Sequence, residues 1–201
     1  MEITYLGDSG FKLKNKSGLI IGMDLLESDL ADVMTVSHRD EEGGRADKVV
    51  ATPVSRQEAF VIDREGEYEI AGVQFTAIKT ASDNNNGVDG GKNLVMAIVV
   101  DGLHIVHLGN LGIKLTDSQI EKLGSVDVMM VPIGGKGTLD ANGAIDLIKE
   151  VQPSYVIPMQ LVGLDEFLEK NKYPLAGETV HKVKIDEGSL PDDTQILLMN
   201  G

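Results

Sequence analysis

The chain contains no cysteine, so a disulfide framework and a thiolate metal site are both excluded. It has no tryptophan and only 4% aromatic residues, which argues against stacking platforms for bases or sugars. Cations are scarce too. Eighteen Lys and Arg stand against 32 Asp and Glu, a formal charge of −14, whereas a nucleic-acid face needs clustered basic residues. No apolar run approaches the roughly 20 residues of a membrane-spanning helix. The start Met1-Glu2-Ile3-Thr4 is acidic and runs straight into a strand, unlike a signal peptide. These absences predict a cytoplasmic protein with neither nucleic acid nor membrane among its partners.

What is present is a 201-residue chain with 42% hydrophobic residues, enough for one sizeable core, and a single domain over residues 1–201 is expected. Short apolar runs separated by turn residues predict strands at Ile3–Leu6, Phe11–Lys14, Leu19–Met23, Val33–Val36, Val49–Ala51 and Ala59–Ile62. Further strands follow at Glu67–Ile70, Val73–Thr80, Leu94–Val100 and Leu103–His107. The second half alternates strands at Val126–Val131, Tyr155–Ile157, Val180–Ile185 and Gln195–Met199 with three helices. Thr116 with Gln119 three residues later reads as a capping box opening the first helix. Ala144, Leu147, Ile148 and Val151 line one face of the second, over Asp140–Val151, and Leu164–Asn171 is the third. An all-β first half and a mixed second half predict a layered α+β or α/β domain.

The stretch with most chemistry is Ser37-His38-Arg39-Asp40-Glu41-Glu42-Gly43, where a buried strand releases a histidine and carboxylates into a glycine-ended loop. It resembles the S-H-x-H-x-D-H metal loop of the metallo-β-lactamase superfamily. His38 stands at the first histidine, Asp40 at the second, Glu42 at the aspartate and Gly43 at the last histidine. Other stretches carry the same likeness in order: Ile3 to Phe11, Gly22-Met23-Asp24, Glu65 to Ile70, Gly91-Lys92-Asn93, His107 to Gly112, Pro132 to Gly135, Thr138 to Ala144, and Pro158-Met159-Gln160. They resemble the small bacterial branch of Zn-dependent hydrolase-like proteins that includes the L-ascorbate-6-phosphate lactonases. The resemblance implies an αβ/βα sandwich of four layers, with the site at one edge of two facing sheets.

Where the branch carries histidine or aspartate ligands, this chain has Asp8, Asp40, Glu42, Gly43, Ser82-Asp83, Asn110, Ile113 and Gln160. A catalytic zinc site takes about three protein ligands, chiefly imidazole and carboxylate, plus an open water position. The reading is therefore of a degenerate member, a pseudoenzyme without zinc and without a resident cofactor, binding a small molecule or a protein. The alternative is a metal-dependent hydrolase of esters, amides or phosphoesters built on a carboxylate-rich site. Candidate ligands are then His38, Asp40, Glu42, Asp83, Asn110 and Gln160, candidate catalytic groups Asp8, Asp40 and Glu42, and Mg²⁺, Ca²⁺ or Mn²⁺ the cations that suit oxygen donors. A scaffold or homo-oligomer subunit is the third reading. Ser9 and Ser37 lack a nucleophile frame and read as turn or capping residues, and His107 as a structural histidine.

Overall fold

The computed structural model describes residues 1–25, 31–38, 59–82, 91–135 and 137–201. The expected strand Val49–Ala51 and the candidates Asp40, Glu42 and Asp83 lie outside the described residues. Two mixed sheets pack face to face. The first has six strands in the order β12-β1-β2-β3-β4-β5, and the second seven in the order β13-β11-β10-β9-β8-β7-β6.

In the first sheet, β1 (Glu2–Tyr5), β2 (Phe11–Lys14) and β3 (Ile20–Met23) form an antiparallel meander joined by tight turns. β4 (Val33–Thr35) and β5 (Phe60–Ile62) add in parallel, and β12 (Lys182–Lys184) closes the other edge against β1. In the second sheet β6 (Gly66–Ile70), β7 (Val73–Ala81), β8 (Lys92–Val100) and β9 (Leu103–His107) pair antiparallel in succession, with tight two-residue turns between β6 and β7 and between β8 and β9. β10 (Val128–Pro132), β11 (Tyr155–Met159) and β13 (Gln195–Ile196) then continue in parallel, which requires crossover connections. Helices α1 (Asp117–Leu123) and α2 (Ala141–Val151) supply them, and α3 (Leu164–Lys170) follows β11.

Local chemistry explains these elements. The capping box of α1 is formed, with Gln119 N donating to Thr116 Oγ1 and Thr116 N to Gln119 Oε1. Asp140 caps α2 by accepting from Gly143 N at 2.8 Å, and Ala141, Ala144, Ile145, Leu147 and Ile148 form its buried face. The parallel strands are buried on both faces, so β10 reads Val-Met-Met-Val-Pro without alternation. β7 alternates instead: Val73, Phe75 and Ala77 enter the core between the sheets and meet Ile3, Phe11, Leu13 and Ile21 in one apolar cluster. A smaller cluster of Leu25, Ala31 and Met34 lies apart from this core.

Several strand bounds differ from the sequence reading: the expected Gln195–Met199 shortens to Gln195–Ile196, and Val126–Val131 shifts to Val128–Pro132. β11 runs on through Pro158 to Met159, since β13 reaches only Tyr155 and Val156 and leaves that side of β11 without a ladder at the proline. The expected Val180–Ile185 strand contracts to Lys182–Lys184, with Val180 forming a lone bridge to Met199. Among the described residues no helix is long and apolar enough to cross a membrane.

Candidate functional site

The strand ends of both sheets deliver the motif residues to one edge of the sandwich. His38 follows β4 and forms an isolated antiparallel bridge with Asn93, at the start of β8, while Leu94 N donates to Ser37 O at 2.7 Å. This bridge links the two sheets at the site. Gly109 follows β9 at φ +58°, and a Cβ there would run into Ser37 and the Asn93 side chain. Only glycine permits so close an approach with that backbone.

Asn93 is fully buried and organises this junction. Its Nδ2 donates to Thr80 Oγ1 at 2.8 Å and to Leu108 O at 2.9 Å, and its Oδ1 accepts from Asn110 N at 2.8 Å. Asn110 is thereby held beside β8, and its side-chain oxygen accepts from Gln160 Nε2. Gln160 lies just past β11 with φ +55°, and its backbone N–H donates to Asp8 O at 3.0 Å. Asp8 also has positive φ, at +52°, and its carbonyl accepts from the buried Tyr5 hydroxyl at 2.9 Å. Burial raises the Tyr5 pKa, opposed by the smaller effect of the Gln160 backbone N–H.

A second relay holds His38. Asp24, Ser37 and His38 are all buried. Asp24 Oδ1 accepts from Ser37 N at 2.8 Å, and its Oδ2 accepts the Ser37 hydroxyl at 2.5 Å. The hydroxyl has one proton and gives it to Asp24, so the 2.7 Å contact from Ser37 Oγ to His38 Nδ1 requires Nδ1 to be the donor. His38 then keeps its lone pair on Nε2, the nitrogen suited to binding a cation or taking a proton. Ser37 thus has more than the turn role its sequence suggested. The Ser37 and Asp24 roles were missed because neither belongs to the ligand letters of the motif. Asp24 standing alone at a strand end was the available signal.

Of the sequence candidates, the fold brings Asn110, Gln160 and the Asp8 backbone together, and ties His38 to them through Asn93. Asp8 itself is exposed at its turn. Among the described residues no three His, Cys, Asp or Glu side chains come together as a metal cluster. Among the described residues the buried Gln160 Oε1, however, has no hydrogen-bond partner. A buried acceptor without a donor costs about 1–3 kcal/mol, so it marks a place for a cation or a donor group. His107 is a structural histidine, with Nε2 2.9 Å from Ser9 O and its ring edge-on to Phe11.

Beside His38 the sandwich opens into a cavity of about 570 Å³, lined by Asp63, Arg64, Lys79, Lys92 and Asn93 among others. Asp63 and Arg64 pair at 3.6 Å in the segment crossing from β5 to β6.

Residues 2–160 match the family described as the beta-lactamase superfamily domain. The chain belongs to the metallo-β-lactamase superfamily. A crystal structure from Thermotoga maritima, provisionally described as a Zn-dependent hydrolase of the metallo-β-lactamase superfamily, superimposes with a TM-score of 0.74 at 27% identity, covering 98% of this chain and 97% of that one. The UPF0173 metal-dependent hydrolase of Thermoplasma acidophilum is 27% identical over 186 residues, 79% of this chain and 82% of its own. That of Methanosarcina barkeri is 26% identical over 195 residues, 82% of this chain and 85% of its own.

These relatives overturn two expectations: that this superfamily member is a degenerate, zinc-free pseudoenzyme, and that it has no resident metal. The sequence reading counted missing histidines as lost function. The structure gives a physical reason for correction: Asn110 and Gln160 are ordered against one another, and Gln160 leaves a buried oxygen unsatisfied.

Proposed function

We propose that the chain is a metal-dependent hydrolase acting on an ester, amide or phosphoester, within the small hydrolase branch that includes the L-ascorbate-6-phosphate lactonases. The observation that carries this reading is the orphaned Gln160 Oε1 at the superfamily's site edge, in a chain whose similar proteins are named metal-dependent hydrolases. The donor set fits a divalent cation. His38 offers an imidazole, Gln160 and Asn110 offer amide oxygens, and the sequence resemblance adds the carboxylates of Asp40, Glu42 and Asp83, which lie outside the described residues. Zinc is the first metal to measure, because the T. maritima protein is provisionally described as Zn-dependent.

Such a cation supplies a Lewis acid for the scissile carbonyl or phosphoryl group and an acidified water. The protein's own groups do the positioning. Asp24 and Ser37 fix the His38 ring and its tautomer, as partners behind metal-binding histidines do. Asn93 fixes Asn110, and Asn110 fixes Gln160. For holding or moving a proton the sequence resemblance offers the carboxylates of Asp8, Asp40 and Glu42, the last two outside the described residues.

The test is metal content of the purified, untagged protein by plasma mass spectrometry, with hydrolysis of 4-nitrophenyl acetate before and after chelation. Near-stoichiometric metal and chelator-sensitive turnover restored by Zn²⁺ or Mn²⁺ are expected. Asp40→Ala and Glu42→Ala should abolish metal uptake. Unchanged uptake would sink their assignment, and a metal-free protein that no divalent ion activates would sink the hydrolase reading.

A further inference from the structure

We propose that Lys79 and Lys92 hold an anionic substituent of the substrate, a phosphate or a carboxylate, at the mouth of the sandwich beside His38. The proposal deepens the hydrolase reading and rests on it for the word substrate.

The argument begins with register. Lys79 of β7 lies opposite Leu94 of β8, and Ala81 opposite Lys92. Directly opposed residues share a face, and residues two apart on one strand share it too. Lys79, Leu94, Ala81 and Lys92 therefore project from the same side. Phe75 and Ala77, on that side of β7, are buried in the core between the sheets, as are Ile98 and Met96 opposite them. The face that is apolar through Ala77 and Met96 thus ends in two exposed lysines where the sheets part. Lys79 and Lys92 are diagonal neighbours, and like charges so placed repel. Two exposed cations brought by register to one face at the rim of an open cavity point to a role in binding.

Charge and position agree. In a chain of −14 the surroundings repel anions on average, yet the lining of this cavity includes Lys79, Lys92, Arg64 and His38 against the two carboxylates of Asp63 and Glu65. Asp63 offsets Arg64 by pairing with it at 3.6 Å. Among the described residues neither lysine takes part in an ion pair. Their ammonium groups are compact, mobile donors, suited to holding a phosphate or carboxylate of varied geometry. An anion held there leaves the rest of a small ester within the same cavity that His38 lines.

The experiment is heteronuclear NMR titration of the purified protein with phenyl phosphate and with benzoate, using phenol as the neutral reference. Shift changes should centre on the ends of β7 and β8, with phenol binding far more weakly. The variant Lys79→Gln/Lys92→Gln, folded by circular dichroism, should bind both anions roughly tenfold or more weakly. Equal binding of anions and phenol, or unchanged anion binding in the variant, would overturn the proposal and leave the lysines as counter-charges to the acidic loops. Its failure is distinct from failure of the hydrolase reading. Anion binding without any 4-nitrophenyl acetate turnover supports the lysine site and removes the hydrolase. Metal-dependent turnover without anion binding does the reverse.

Discussion

Asn93 Oδ1 accepts the backbone N–H of Asn110 at 2.8 Å, so a residue at the start of β8 sets the loop after β9 that carries a candidate ligand. The same side chain donates to Thr80 and Leu108 in a fully buried position. One amide joins β7, β8 and the loop, and His38 is bridged to its backbone. The candidate site is therefore suspended from a neutral, fully buried amide.

Asn93→Ala is expected to cost about 3 kcal/mol, since it leaves the half-buried Asn110 N without its acceptor and takes a donor from both Thr80 Oγ1 and Leu108 O, the latter keeping only Leu111 N. For a chain of this size that is a fall in Tm of about 6–12 °C. A thermal melt by circular dichroism checks it. A loss below about 1 kcal/mol would mean that water replaces the amide and that the junction is looser than described.

Ser37→Ala removes the hydroxyl between Asp24 and His38. Asp24 keeps the Ser37 backbone N–H but loses its 2.5 Å donor, and His38 Nδ1 loses its acceptor. Stability should drop by about 1–3 kcal/mol. Metal affinity should fall about 10–100-fold, the usual effect of losing the partner behind a metal-binding histidine. A competition titration with a chromophoric chelator reads the second effect apart from the first. Lower stability with unchanged affinity would leave the relay structural only.

Gly109→Ala places a Cβ against Ser37 and Asn93 on a backbone at φ +58°. Both neighbours are fixed by their own hydrogen bonds, so neither yields cheaply. Overpacking and the left-handed conformation together should cost about 3 kcal/mol or more. Denaturant unfolding measures it, and a variant within about 0.5 kcal/mol of the parent would show that the bridge between the sheets can open at little cost.

Much of this arrangement was legible in the sequence, and for identifiable reasons. The short apolar runs of the strands, the capping residue Thr116 and the glycine turns are local signals, so they survive without tertiary information. The order of motifs from Ile3 to Gln160 pointed to the two-sheet sandwich that the structure has. What could not be read was which side chains serve as partners: Asp24 meets Ser37 across 13 positions and Gln160 meets Asn110 across 50. Nothing in local periodicity records such contacts. The basic wall of the cavity was hidden likewise, because Lys79 and Lys92 become neighbours only through strand register. Counting ligand letters alone led to the expectation of a metal-free chain. A count of that kind is blind to a neutral residue such as Gln160, whose unpaired oxygen appears only in three dimensions.

Tyr5 offers a pH test of the same edge. Its hydroxyl donates to Asp8 O, and burial raises its pKa above the usual value near 10. In the unfolded chain the phenol ionises near 10, and in the folded protein only at higher pH. Its contribution is therefore fully present below about pH 10 and is lost as pH rises through the folded value. Tyr5→Phe should cost about 1 kcal/mol at neutral pH, because Asp8 O keeps the Gln160 N–H when the phenol donor is gone. Above about pH 10 the stability difference between parent and variant should shrink, since only the parent carries this ionisation. Urea unfolding of both proteins at pH 7, 9, 10 and 11 reads the difference directly and cancels the other titrating groups. A gap that stays constant to pH 11 would mean that the phenol ionises alike in both states, and that the turn carrying Asp8 does not seal Tyr5 from water.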